Sequence, residues 1–83
     1  MLFISSLEIT TEKAKELMTR ARNPKMIQGV VIKDILGVFG KPDIILIFEA
    51  PSERTAAEFV LQFTDCAITR THLVFPIKII EGI

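Results

Sequence analysis

His72 and Asp34 stand out as candidates for acid–base chemistry in this chain of 83 residues. His72 is the single imidazole of the chain, and an imidazole changes its charge close to neutral pH. Asp34 follows Lys33 inside an otherwise apolar run, where a charge is costly unless it is paired. As an enzyme the chain would use His72 and Asp34. Otherwise His72 is a surface or hydrogen-bonded histidine. Asp34 then lines a ligand cleft, forms a salt link across a dimer, or lies at a sheet edge open to water.

The remaining reactive residue types do not form a catalytic or cofactor motif. Cys66 is the only cysteine, which excludes a disulfide within the chain and a cysteine-rich zinc site, and we expect a buried, unreactive thiol. The glycines do not open a phosphate-binding helix, and no serine lies in a nucleophile elbow. We therefore predict no cofactor and no metal site.

The charge balance and the lengths of the apolar runs bear on the possible partners. Ten basic residues match ten acidic ones, which argues against direct nucleic-acid binding, because phosphate neutralisation requires a surplus of Lys and Arg. No apolar run approaches the roughly 18 residues of a membrane span, and the N-terminus lacks a secretory signal pattern. We expect a cytoplasmic protein without a membrane partner.

The hydrophobic periodicity predicts six elements in the order strand, helix, strand, strand, helix, strand. The predicted strands are residues 2–9, 30–39, 44–48 and 68–80, with a bulge at Gly37 in the second; the helices begin at the N-caps Thr10 and Ser52. This order predicts one α+β domain spanning residues 1–83. We expect a ferredoxin-like βαββαβ plait, with both helices on one face of a four-stranded antiparallel sheet and the first and third strands central. Pro76 then falls on an edge strand, where it is tolerated.

The predicted strands are apolar on both faces, although two helices cover only one face of such a sheet. Residues 44–48 are all apolar, and the second and fourth strands also carry apolar residues on both faces, with Asp34 expected to share a face with Ile32 and Leu36. Another molecule must then cover the second face. We predict a homodimer or a higher oligomer; the alternatives are a different protein partner and an apolar ligand.

The stretch from Gly40-Lys41-Pro42-Asp43 to Glu49-Ala50-Pro51, continued by residues 55–59 and by Thr69-Arg70-Thr71, resembles the GYD domain family. The same hairpin and threonine-rich last strand also resemble the stand-alone ligand-sensing (RAM) domain of leucine-responsive, Lrp/AsnC-type regulators. Both resemblances imply the dimeric α+β barrel superfamily. They favour a ligand site at a subunit interface, with Gly40, Asp43, Asp34 and Thr71 as binding residues.

Three functions follow from these observations. The first is a non-enzymatic dimeric sensing module that binds an amino acid or another small metabolite beside the Gly40–Asp43 turn. The second is a dimeric-barrel enzyme, of the cofactor-free monooxygenase or isomerase type, that uses His72 or Asp34 on a small apolar molecule. The third is a structural dimerisation module.

Overall fold

The chain folds into one four-stranded antiparallel sheet and two helices in a computed structural model that describes residues 1–10 and 12–79. The strands are β1 (Leu2–Ile9), β2 (Val31–Gly37), β3 (Ile44–Glu49) and β4 (Ala67–Val74), and the helices are α1 (Ala14–Arg22) and α2 (Glu53–Val60). Short 3₁₀ segments follow α2 and β4, at Leu61–Phe63 and Ile77–Ile79. The sheet order is β2-β3-β1-β4, which confirms the predicted βαββαβ arrangement with β1 and β3 in the centre.

The core lies between one face of the sheet and both helices, and we call this the covered face. Alternate residues of β1 and β3 point into it, as the period of two requires. The buried apolar residues from the sheet and helices include Phe3, Leu7, Ile44, Leu46, Phe48, Leu17, Ala21, Ala56, Phe59 and Val60. The Phe48 ring stacks on Phe3 with centroids 5.6 Å apart and meets Phe59 at 5.0 Å. These aromatic contacts link α2 to the two central strands.

The two helices begin differently. Ser52 caps α2 as predicted, because its hydroxyl accepts a hydrogen bond from the Thr55 amide at 3.1 Å. The predicted N-cap role of Thr10 is wrong: α1 begins after Lys13, whose side chain makes no capping bond. The Thr10 hydroxyl instead donates to the Cys66 carbonyl at 3.1 Å. That long-range bond ties the end of β1 to the start of β4.

Strand β2 is shorter than predicted and contains its irregularity at a different residue. The register shifts between Ile32 and Asp34, so the bulge lies at Lys33 and not at Gly37, which is the last residue of the strand. The extra residue reverses the alternation of side chains between the two faces. Ile32 therefore pairs with a covered-face residue of β3, whereas Asp34 and Leu36 pair with residues of the opposite face. The predicted common face of Ile32 and Asp34 is wrong.

Strand β4 is an edge strand that ends at Val74, two residues before Pro76. Proline lacks the amide hydrogen of a ladder and restricts the residue before it, so the predicted continuation of the strand to residue 80 is wrong for the described residues. Residues 77–79 form the second 3₁₀ segment, and Ile80 lies outside the described residues.

Candidate functional site

The second face of the sheet, which we call the open face, points away from both helices. The strand register arranges its side chains in rows that cross β2, β3, β1 and β4 in that order. The complete rows are Val31, Glu49, Leu2 and Val74; then Asp34, Ile47, Ile4 and His72; then Leu36, Ile45, Ser6 and Arg70, and a shorter row pairs Glu8 with Ile68. The centre of the open face is thus apolar, with charged residues towards its edges.

The apolar side chains of the open face remain partly accessible. Ile4, Ile45 and Ile47 at its centre are half-buried, because they shield only one another across the strands. Leu36 is 42% exposed and Val31 is 51% exposed. Contiguous exposed apolar areas are characteristic of interaction surfaces.

The charges at the rim of the open face are mostly paired with one another. The Lys33 ammonium lies 3.5 Å from the Glu49 carboxylate, and Glu8 lies within 4 Å of both Lys41 and Arg70. These partners are accessible to water, so each pair contributes at most about 1 kcal/mol.

Asp34 and His72 have no salt-bridge partner among the described residues, in contrast to the paired charges at the rim. The Asp34 carboxylate accepts only the amide of the next residue, Ile35, at 3.0 Å. The two side chains belong to the same row but to opposite edge strands, three strand spacings or about 14 Å apart. One chain therefore cannot bring both groups to the same reacting atom.

The Gly40–Asp43 turn is anchored to the end of β1. The Asp43 carboxylate accepts the Ile9 amide at 2.7 Å, and the Lys41 ammonium lies 3.7 Å from the same oxygen. Gly40 has a φ of +102°, which a glycine adopts without strain, and the Lys41–Pro42 peptide bond is cis. Asp43 thus has a structural role in the hairpin.

A cleft of about 370 Å³ lies beside this turn, between the end of the sheet and α1. Its walls are mainly apolar and are formed by Ile9, Met18, Gly37, Val38, Phe39 and Asp43. The Phe39 ring is fully exposed, whereas the Asp43 carboxylate is about three-quarters buried, with 24% of the side chain accessible. The cleft therefore combines hydrophobic walls with one negatively charged group.

Thr71 lies away from the other predicted ligand residues. It pairs with Ser5 on the covered face, and the two hydroxyl oxygens are 2.8 Å apart. Ser5 is fully buried, so its hydroxyl needs a hydrogen-bond partner within the protein, and Thr71 is that partner. The four predicted binding residues thus occupy three places: Asp34 on the open face, Thr71 on the covered face at the other edge, and Gly40 with Asp43 in the turn.

A cluster around Arg20 was not predicted from the sequence. The guanidinium contacts Asp65 and Glu16 and donates to the Gln62 carbonyl at 2.8 Å. Its hydrogen bond holds the pKa of Asp65 below its usual range and raises the pKa of Arg20. The spacing of Glu16 and Arg20 could have suggested their pairing, but nothing local could have indicated Asp65.

Cys66 is fully buried next to this cluster, as expected. Burial raises the pKa of Cys66, although the nearby Arg20 guanidinium acts in the opposite direction. The thiolate is the nucleophilic form, so this environment disfavours reaction at the sulfur.

Two further findings concern residues 1–10 and 12–79. They contain no group of three or more His, Cys, Asp or Glu side chains placed to hold a metal ion. Their helices are also too short or too polar to cross a membrane.

Comparison with models of known protein families gives no match for this chain, and comparison with curated proteins gives none either. The resemblances to the GYD family and to the ligand-sensing domain of Lrp/AsnC-type regulators therefore remain predictions from the residues that suggest them.

Proposed function

We propose that this chain is a non-enzymatic dimeric module in which two copies cover each other's open face, and that it binds a small metabolite in the cleft beside the Gly40–Asp43 turn. The observation that carries the proposal is the apolar centre of the open face, which neither helix covers. A second copy supplies an identical apolar surface, and closed two-fold pairs are the commonest oligomers.

The composition of the open face supports a protein–protein interface. An apolar centre with paired charges at the rim is the usual composition of such interfaces.

The chemistry of the cleft favours an amino acid with an apolar side chain as the ligand. The Asp43 carboxylate, which lines the cleft, can accept hydrogen bonds from the ammonium group of such a ligand. Met18, Val38 and Phe39 offer apolar walls for the side chain. The volume of about 370 Å³ lies within the range of small-molecule sites.

Sedimentation velocity over a range of protein concentrations tests the dimer. The wild-type chain should sediment as a dimer at micromolar concentration, and Ile47→Glu should sediment as a folded monomer, because the interface would bury an unpaired carboxylate. Leu61→Glu is the matched control: Leu61 is 62% exposed in the 3₁₀ segment that follows α2, away from the open face. A wild-type monomer, or an Ile47→Glu variant as dimeric as the wild type, would contradict the proposal.

Thermal unfolding with each of the common amino acids tests the ligand. A ligand at 100 times its dissociation constant should stabilise the native state by about 2.7 kcal/mol. Met18→Ala should weaken this effect because Met18 lines the cleft, whereas Met26→Ala should not: Met26 is about as exposed and is not one of the residues that line it. If no amino acid raises the melting temperature, the ligand part of the proposal fails while the dimer remains.

A further inference from the structure

We propose that the two copies pack with their two-fold axis parallel to the strands, so that Asp34 of each copy faces His72 of the partner subunit. This inference rests on the proposed dimer and adds the orientation of its subunits and two composite carboxylate–imidazole contacts. Neither contact exists within one chain, because Asp34 and His72 lie at opposite edges of the sheet.

The symmetry of a face-to-face dimer leaves two aligned arrangements. The two-fold axis lies in the plane between the sheets, and aligned sheets have nearly parallel strand directions. An axis parallel to the strands places β2 over β4 of the other copy and β3 over β1. An axis perpendicular to the strands places each strand over the same strand of the other copy.

The charges of the open face distinguish these arrangements. On the β2 edge the Lys33 ammonium is paired with Glu49, which leaves Asp34 without a salt-bridge partner among the described residues. On the β4 edge Arg70 shares the Glu8 carboxylate with Lys41, and His72 lies in the next row. With the perpendicular axis, β2 meets β2, so that the Asp34 carboxylates of the two copies lie on facing strands. With the parallel axis, Asp34 meets the edge that carries Arg70 and His72 at both sides of the interface. Complementary potentials of this kind determine register and orientation in protein interfaces.

The order of side chains within the rows also favours the parallel axis. The middle row of the partner runs in the opposite direction across the interface. Asp34 therefore faces the partner's His72 at each end of the row, and Ile47 faces the partner's Ile4 between them. In the first row Val31 meets the partner's Val74, and Glu49, which is paired with Lys33, meets the partner's Leu2. In the third row Leu36 meets the partner's Arg70, whose aliphatic stem can cover it. Apolar residues thus meet along much of the interface in this arrangement.

Chemical crosslinking of single-cysteine variants tests the orientation. In a Cys66→Ser background, Asp34→Cys and His72→Cys are prepared separately, then mixed and allowed to exchange subunits. Packed sheets lie about 10 Å apart, beyond the reach of a disulfide, so a short bismaleimide is the appropriate reagent. We expect crosslinked heterodimers in the mixture and none in either variant alone, because two copies of position 34 would lie about 17 Å apart.

The controls separate the orientation from the dimer itself. Leu61→Cys in the same background reports random collisions, since Leu61 is exposed away from the open face. Asp34→Cys dimers linked to each other, or a mixture without heterodimers, would overturn the parallel axis even though sedimentation shows a dimer. A monomer in sedimentation would instead refute the proposed function.

A charge exchange provides a second measurement that needs no reagent. Asp34→Lys should weaken self-association at least about tenfold at low salt, because the introduced ammonium would face His72 and Arg70 of the partner subunit. Adding His72→Asp to the same chain should restore most of the affinity, since each new lysine would then face a new aspartate. Failure of the double variant to recover, with the single variant impaired, would overturn the pairing.

Discussion

Replacement of Asp43 by alanine tests whether this predicted ligand residue also supports the fold. Asp43→Ala removes the acceptor of the Ile9 amide, whose hydrogen bond of 2.7 Å holds the Gly40–Asp43 turn against the end of β1. Asp34→Ala is the matched control at the other predicted ligand aspartate. Its exposed carboxylate accepts only the amide of the next residue, so its removal leaves no buried group unpaired.

The structure determines the size of the expected effect. A hydrogen bond to a charged group contributes about 1.5–3 kcal/mol, and water can partly replace the acceptor because Ile9 is half-buried. The pair with Lys41 adds less than about 1 kcal/mol, since Lys41 is largely exposed. We expect a loss of about 2 kcal/mol for Asp43→Ala, less than about 1 kcal/mol for Asp43→Asn, which retains an acceptor, and less than about 0.5 kcal/mol for Asp34→Ala.

Urea unfolding and thermal melting in the Ile47→Glu background, which we expect to be monomeric, measure these differences, because association makes stability concentration-dependent. A loss of about 2 kcal/mol should lower the melting temperature of a domain of this size by about 8–16 °C. Equal stabilities of Asp43→Ala and Asp34→Ala would refute the structural role of Asp43. In the associating wild-type background Asp34→Ala should lose more stability than in the monomer, because the proposed dimer places Asp34 opposite His72 of the partner subunit.

Three further predictions concern groups with well-defined surroundings. Asp65→Asn should destabilise the chain at neutral pH and cease to do so in acid, as urea unfolding at several pH values can measure. The hydrogen bond from Arg20 lowers the pKa of Asp65 in the folded state. The ionised carboxylate therefore stabilises the fold above its unfolded-state pKa, and this stabilisation is lost as the pH falls through the folded-state pKa. Cys66 should react with a chromogenic thiol reagent only at the rate of unfolding, because burial shields the sulfur and raises its pKa. Ser52→Ala should lower the unfolding free energy by about 1 kcal/mol in chemical denaturation, since the Thr55 amide loses its acceptor.

The order of the elements could be predicted from the sequence because it depends on local signals. Apolar periodicity located both helices and all four strands, and Ser52 indicated the start of α2 correctly. Thr10 has the same capping chemistry but does not cap α1, because a turn that includes Glu12 at a φ of +72° separates it from Lys13, the observed N-cap. A capping residue thus marks a helix start only where the residues after it enter the helix directly.

The candidate site was less predictable, because residues far apart in the chain form it. The bulge at Lys33 moved Asp34 to the face opposite Ile32, and no glycine indicated that position. Thr71 was predicted beside the ligand, but its pairing with Ser5 places it on the covered face. The register between two strands depends on burial and on backbone hydrogen bonds along their whole length. The sequence of one strand is therefore not sufficient to predict which residues it pairs with.

The sequence alone determined that the sheet has apolar side chains on both faces, because side-chain alternation along a strand is a property of the backbone. It likewise determined that two helices cover one face, since their number and order follow from local periodicity. Which residues share a row depends on the order and register of the strands in the folded chain. Asp34 and His72 became the ends of one row because β3 and β1 lie between their strands, and that order is the outcome of packing the core.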